Sequence, residues 1–437
     1  MMVPTEPTLV VGGGIAGLMC ARELTRAGHA VVLLEREAEV GGRVRTTIRD
    51  GFRLDHGFQV LFTAYPTLAA ALDIPALELQ RFRPAAVMAG GARHPAVIGD
   101  ALADMALLWP TLIAPQLSLL DKMRMLRLRL LARSLPFDAC FAPRYDGIST
   151  RTFLQHLGFS TNAITNFFAP FYGGILLDRS LETSAAVLLY TFKMLAEGRT
   201  VVPSRGMGAI TVQLASALPA GSVRTGVSVT QVIVENGALQ GVLLDDASLV
   251  RSSNVVLACD PPTIGRLAAT AGVHVEVPTD SLGCSTVYLR APVPLLAGDA
   301  LWLNTAPDAT VSHAITISNV APSYAPDGET LTAATVLGGA ALLDDAALES
   351  RVRTDLRRMS GMVQANAGGA AELVAIWRVP YSQYAQAPGS TSRRVPTLTS
   401  LRGLVIASES GHTSSLEGAA RGGISAARAV LDREKSW

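Results

Sequence analysis

Thr8-Leu9-Val10-Val11-Gly12-Gly13-Gly14-Ile15-Ala16-Gly17 decides how the rest of the chain reads. Leu9, Val10 and Val11 form a short apolar strand. Gly12, Gly14 and Gly17 follow at G-x-G-x-x-G spacing, and the apolar run from Ile15 to Leu24 begins a helix. The first glycine permits a tight turn and the second lets a pyrophosphate approach the backbone. The third lets helix and strand pack closely, so the helix N-terminus faces the phosphates. Glycine-rich turns of this kind also arise from packing alone, so the surroundings must discriminate.

Ala30 to Leu34 reads as a second buried strand ending at Glu35, which lies 18 residues past Gly17. An acid there can accept from a ribose 2′-hydroxyl and would repel a 2′-phosphate. The alternative is an ordinary surface carboxylate. Glu39-Val40-Gly41-Gly42-Arg43-Val44-Arg45-Thr46 comes next. Two glycines let the chain pass near a pyrophosphate, and Arg43 can fork onto its oxygens. Its alternative is a solvated charge.

The chain has 437 residues, room for two or three domains at about 150 residues each. Hydrophobic residues make up 49% and charged residues 17%, which describes a globular protein with a large core. A net charge of +1 supplies no bulk attraction to nucleic acid. Cys20, Cys140, Cys259 and Cys284 are scattered, with no C-x-x-C pair, which fits a reducing cytoplasm better than a disulfide framework or a zinc site. The seven histidines form no ligand cluster, so no metal is expected. The first strand starts at Thr8, which leaves no room for a signal peptide.

Met105 to Leu120 carries no charge, but it is 16 residues long and contains Pro110 and Pro115. A spanning helix needs about 20 apolar residues. Asp121 to Arg133 then reads as a basic amphipathic helix carrying Lys122, Arg124, Arg127, Arg129 and Arg133. Two readings stay open: a solvated face over the core, or peripheral docking on an anionic membrane.

Strand and helix signals alternate through the remainder. Val223 to Val229, Val232 to Val234, Leu239 to Leu244, Val255 to Ala258 and Leu404 to Ala407 read as strands, and Ala209 to Leu218 as a helix. The expected fold class is α/β, a Rossmann-like nucleotide-binding domain interleaved with an α+β substrate-binding domain. Residues 1–75, 201–265 and 395–437 are assigned to the first, and 76–200 and 266–394 to the second.

Three further segments carry a family resemblance. Gly51 to Pro66 (GFRLDHGFQVLFTAYP) is similar to the segment after the second glycine signature in plant-type phytoene and ζ-carotene desaturases. Pro380 to Gly389 (PYSQYAQAPG) resembles that family's P-x-S-x-Y-x-x-x-P-G pattern, and Ser415 to Gly423 (SLEGAARGG) its closing helix start. With residues 8–46, these motifs resemble the FAD-dependent amine oxidase and carotenoid desaturase superfamily. The resemblance implies FAD as cofactor, contacted at Gly12, Gly14, Ile15, Ala16, Gly17, Glu35, Arg36, Gly42, Arg43, Gly57, Phe58, Val229, Glu409 and Leu416. It also implies that the N-terminus of the last helix, with its positive dipole end, faces the N1 edge of the flavin.

The chain departs from the pattern. Ser408-Glu409 stands where the family has Gly-Asp, Gln59 replaces a histidine and Gly422 a serine. The loop from Glu409 to Leu416 is shorter than in the plant enzymes. Only Lys122, Lys193 and Lys435 are lysines, among 37 lysines and arginines. Many flavin amine oxidases resemble one another in placing a lysine in a substrate-domain strand. The matching stretch here is Gly283 to Leu289 (GCSTVYL), with Thr286 or a neighbour at that position.

The reading is therefore hydride transfer from a C–H of an apolar substrate to flavin N5, creating a double bond in a molecule such as an isoprenoid or polyene. No catalytic side chain is assigned. Tyr384, Trp377 and Arg205 are cavity-lining candidates, each with a packing or surface alternative. The rivals are a protoporphyrinogen-oxidase-like or amine-oxidising enzyme, a flavin-dependent isomerase, and a lipid-binding flavoprotein without activity.

Overall fold

A computed structural model describes residues 6–91, 95–361 and 371–434. Its nucleotide half is a five-stranded, wholly parallel sheet in the order Val223–Arg224, Val31–Leu34, Thr8–Val11, Val255–Leu257, Leu404–Ile406. Every residue of Thr8–Val11 is buried, as a central parallel strand covered on both faces requires. These strands come from three separated stretches of chain, residues 8–34, 223–257 and 404–406.

Helix Ile15–Arg26 and the closing helix Leu416–Glu434 pack on each other. A Cβ on Gly423 would stand 2.3 Å from the Ala16 carbonyl oxygen, so the helices touch backbone to backbone there. Gly17 serves the strand–helix contact: its Cβ would lie 1.9 Å from the Gly12 carbonyl oxygen.

The second half is a seven-stranded mixed sheet, in the order Glu372–Tyr384, Ser281–Ala291, Thr330–Leu337, Val311–Thr316, Leu301–Asn304, Ala85–Ala89, Ala96–Gly99. Helix Asp345–Ser360 covers one face through Leu348, Val352, Leu356 and Met359. The other face meets a large apolar core that includes helices Ala169–Leu176 and Ala185–Glu197.

Two local expectations change. Val223 to Val229 is two strands, because Gly226 at φ +69° turns the chain between them. Val223–Arg224 joins the parallel sheet, while Val229–Glu235 pairs antiparallel with Ala238–Leu244, itself extended by Leu249–Arg251. The uncharged run from Met105 breaks into Met105–Leu107 and Leu108–Ile113 before helix Leu119–Ser134 begins. Among the described residues no helix is long and apolar enough to cross a membrane.

Candidate functional site

The two glycine signatures meet in space. Gly41 N donates to the Gly13 carbonyl at 2.8 Å, and a Cβ on Gly42 would lie 3.4 Å from Gly14 Cα. Gly12 needs its glycine for two reasons: φ is +112°, and a Cβ would stand 2.6 Å from the Ala258 carbonyl oxygen. Gly14 differs, with nothing within 4 Å of its missing Cβ. The backbone is thus bare on the side where the first turn of helix Ile15–Arg26 begins, and no side chain caps that helix. Ile15, Ala16 and Gly17 supply N–H groups without intrahelical partners, an arrangement suited to phosphate oxygens.

Glu35 is buried and is no surface carboxylate. Its Oε2 accepts from Gly13 N at 2.6 Å and its Oε1 from Glu37 N at 2.9 Å. It therefore fixes the glycine loop as well as standing at the strand end. Val227 N donates to the Glu35 carbonyl at 2.9 Å, which brings the strand opened by the buried Val229 alongside. The Arg36 side chain turns outward onto Glu37 at 3.2 Å.

Arg43 reaches across the chain. Its Nη2 donates to Glu409 Oε1 at 2.5 Å and its Nη1 to the Ser382 carbonyl at 2.9 Å. Burial opposes its charge, and the Glu409 carboxylate more than offsets this, holding the guanidinium above its ordinary value. Tyr381 lies beside the pair, with the guanidinium 5.9 Å from its ring centre. The Arg43 fork expected on a pyrophosphate is here engaged by protein acceptors, and Glu409, not a solvent-facing acid, is its main partner.

Near this pair sit buried polar atoms without protein partners, Tyr381 OH and Gln59 Oε1. Gln59 uses its Nε2 to donate to the Arg43 carbonyl at 2.7 Å. A bare glycine cradle, an uncapped helix N-terminus, a buried strand-end acid and orphaned polar atoms beside Arg43 together fit an FAD.

The Asp55–Phe58 segment joins the two halves. The buried Asp55 carboxylate accepts from Thr46 Oγ1 at 2.5 Å, Met207 N at 2.9 Å and Tyr324 OH at 2.8 Å. Burial pushes its carboxyl up to about 6 despite these donors. His56 packs against Trp377 with ring centres 3.8 Å apart. Gly57 takes φ +93°, and Phe58 N donates to Thr286 Oγ1 at 3.2 Å.

Thr286 is fully buried and belongs to a row across the seven-stranded sheet: Trp377, Thr286, Thr335, His313, Leu303. Directly paired residues share a sheet face, and the Phe58 ring lies 5.2 Å from that of His313. The row contains no lysine. Lys193 instead pairs with Glu197 at 2.5 Å, and Lys122 donates to the Leu112 carbonyl at 2.6 Å. Lys435 lies outside the described residues. Of the cavity candidates, Trp377 lies in the row, whereas Tyr384 is buried at the far end of the same strand, opposite Ser281. Arg205 is exposed and reaches the Ala76 carbonyl at 3.4 Å, so it is a surface charge.

The closing helix begins at Leu416, with Gly418 N donating to Ser415 Oγ at 2.9 Å. Glu417 was not singled out by sequence reasoning, yet it is wholly buried and accepts from Thr67 N and Leu68 N at 3.1 and 3.0 Å. The Asp55 carboxylate is likewise buried. Glu417 stands among small and apolar residues, a signal of burial, whereas Asp55, between Arg53 and His56, carries none. Among the described residues no group of His, Cys, Asp and Glu could hold a metal ion.

A model of the flavin-containing amine oxidoreductases matches residues 15–431, and the chain belongs to that family of FAD-dependent oxidoreductases. An oxidoreductase from Methanosarcina mazei superposes with a TM-score of 0.73 at 20% identity, over 96% of this chain and 99% of that one. A protoporphyrinogen-oxidase-like protein from Exiguobacterium sp. 255-15 gives 0.71 at 18% identity, over 98% and 99%. At such identities the likeness is one of fold. Putrescine oxidase of Kocuria rosea is 43% identical over 76 residues, 17% of this chain and 16% of that one. The curated relatives are matched over short stretches, 9% of the length of an Arabidopsis thaliana flavin-containing monooxygenase and 20% of a Mycobacterium tuberculosis glutamate synthase small chain.

Proposed function

We propose that this protein desaturates an apolar substrate, such as an isoprenoid or polyene, reached from a membrane surface or a carrier. FAD, when bound, supplies a two-electron acceptor that takes a hydride from a substrate C–H while a proton leaves the neighbouring carbon. The chain's residues bind, orient and exclude water. Gly12, Gly14 and Gly17 with the N–H groups of Ile15 and Ala16 would hold the pyrophosphate, joined by Gly42. Glu35 would accept from the adenosine ribose, with Arg36 and Val229 framing that end. Arg43 would stand near the pyrophosphate with Glu409 available to the ribityl hydroxyls, and Gly57, Phe58 and the helix start at Leu416 would frame the flavin.

The observation that carries the reading is Thr286. The strand stretch where amine oxidases resemble one another in placing a lysine, Gly283 to Leu289, holds none, and its Thr286 hydroxyl is buried and already engaged by Phe58 N. The row it belongs to presents Trp377, Thr335, Leu303 and His313. Burial, with Arg179 adding, lowers the His313 pKa to about 4, so its imidazole is neutral at pH 7. Such a face offers no carboxylate to an ammonium group. Mass spectrometry of the co-purified small molecule tests this. An apolar isoprenoid or polyene supports the reading, and a bound di- or polyamine contradicts it in favour of the amine-oxidising alternative.

A further inference from the structure

Eighteen large apolar side chains are exposed among the described residues, and eleven fall between Leu102 and Leu130. Trp109 is 70% exposed, Leu119 68% and Leu130 61%. On helix Leu119–Ser134 the outward positions follow a helical stripe of Leu119, Leu120, Met123, Leu126 and Leu130. This departs from a purely basic outer face, because three of the five basic side chains are half-buried and engaged by acceptors of the protein. Arg129 pairs with Asp100, Arg124 with Asp121 at 3.5 Å, and Lys122 caps the carbonyls of Leu112 and Ala114. That lysine also ties helix Leu108–Ile113 to the longer helix, so Trp109 and its neighbours extend the same surface.

We infer that this apolar face, with Trp109, Leu126 and Leu130 as anchors, inserts into the headgroup boundary of an anionic lipid bilayer. The inference rests on the reading of an apolar substrate and names the surface through which such a substrate would be met. Large exposed apolar patches on a soluble chain mark an interaction surface. Charge selects the occupant. Asp100, Asp104 and Asp121 each carry an arginine partner, while Arg127 and Arg133 stand exposed with no carboxylate partner among the described residues. A second copy would oppose like charges across a two-fold axis, whereas anionic headgroups satisfy the arginines as the apolar side chains enter.

The test is flotation of the FAD-loaded protein with phosphatidylcholine vesicles, with and without phosphatidylglycerol, alongside sedimentation to report mass. Wild-type protein is expected to float with the mixed vesicles. Trp109→Glu/Leu126→Glu/Leu130→Glu should lower partitioning at least tenfold while keeping FAD content. Arg127→Gln should lower it roughly fivefold on the anionic vesicles only, as about 1 kcal/mol per surface cation implies. Wild-type protein that stays with the supernatant, or a dimer that dissociates in the triple variant, overturns the inference. Oxidation of a detergent-dispersed apolar substrate is measured separately. If that fails while flotation succeeds, the functional reading falls and the docking face stands.

Discussion

Glu417, in the first turn of the last helix, caps the helix that begins at Pro66: its carboxylate takes the N–H groups of Thr67 and Leu68. Two motifs some 350 residues apart, Ala64-Tyr65-Pro66 and Ser415-Leu416-Glu417, are thus one structural unit. Arg421 Nε donates to the same carboxylate at 3.0 Å. Replacing Glu417 with Ala leaves buried donors unpaired and should lower stability by about 1–3 kcal/mol. Glu417→Gln, which keeps an acceptor, should cost less. Urea unfolding of both variants checks the order, and equal losses would contradict the capping role.

Glu35 holds two backbone donors of the nucleotide half in addition to its place at the strand end. Glu35→Ala should weaken FAD binding by about 1–3 kcal/mol. Titration of the apo-protein with FAD measures it. Unchanged affinity would remove Glu35 from the cofactor site.

Arg43 and Glu409 neutralise each other at 2.5 Å. Removing one partner leaves the other charge uncompensated at a largely buried position. Arg43→Ala and Glu409→Gln should each weaken FAD retention, and the double variant should lose less than the sum of the two. Additive losses in a double-mutant cycle would show that the pair does not act as a unit.

Much of the nucleotide half is legible in the sequence because its signals are local. An apolar run, a glycine turn and a strand-end acid are each set by neighbours in the chain. Long-range partners are not. Nothing near Asp55 announces Met207 N or Tyr324 OH, and nothing near Glu417 announces Thr67. Helix Leu119–Ser134 shows the same limit. Its pattern alternates leucine with arginine, but the side facing inward depends on Asp100 and Asp121, which draw Arg129 and Arg124 down. The outer face of this helix is consequently largely apolar, with Arg127 and Arg133 as its exposed cations.

Acid should destabilise the fold. Burial, with Arg45, Arg179 and Arg394 adding respectively, lowers His56, His313 and His412 to about 4 from an ordinary 6.5. Unfolding lets each take up a proton, so stability present above 6.5 is lost as pH falls toward 4. Asp55, pushed up to about 6 by burial, has the opposite sign and contributes stability that is lost as pH rises from about 4 to 6. Three histidines outweigh one carboxyl. The thermal midpoint should fall between pH 6.5 and 4, and His313→Gln should flatten that slope by about one proton. A midpoint that rises on acidification would contradict the assignment.

The most direct test of the account is anaerobic mixing of the FAD-loaded protein with an apolar isoprenoid or polyene, and separately with putrescine, while flavin absorbance and product mass are followed. The account predicts flavin bleaching by the apolar substrate, with a product two hydrogens lighter, and no bleaching by the diamine. Bleaching by putrescine alone would contradict it and make the chain an amine oxidase that works without the strand lysine.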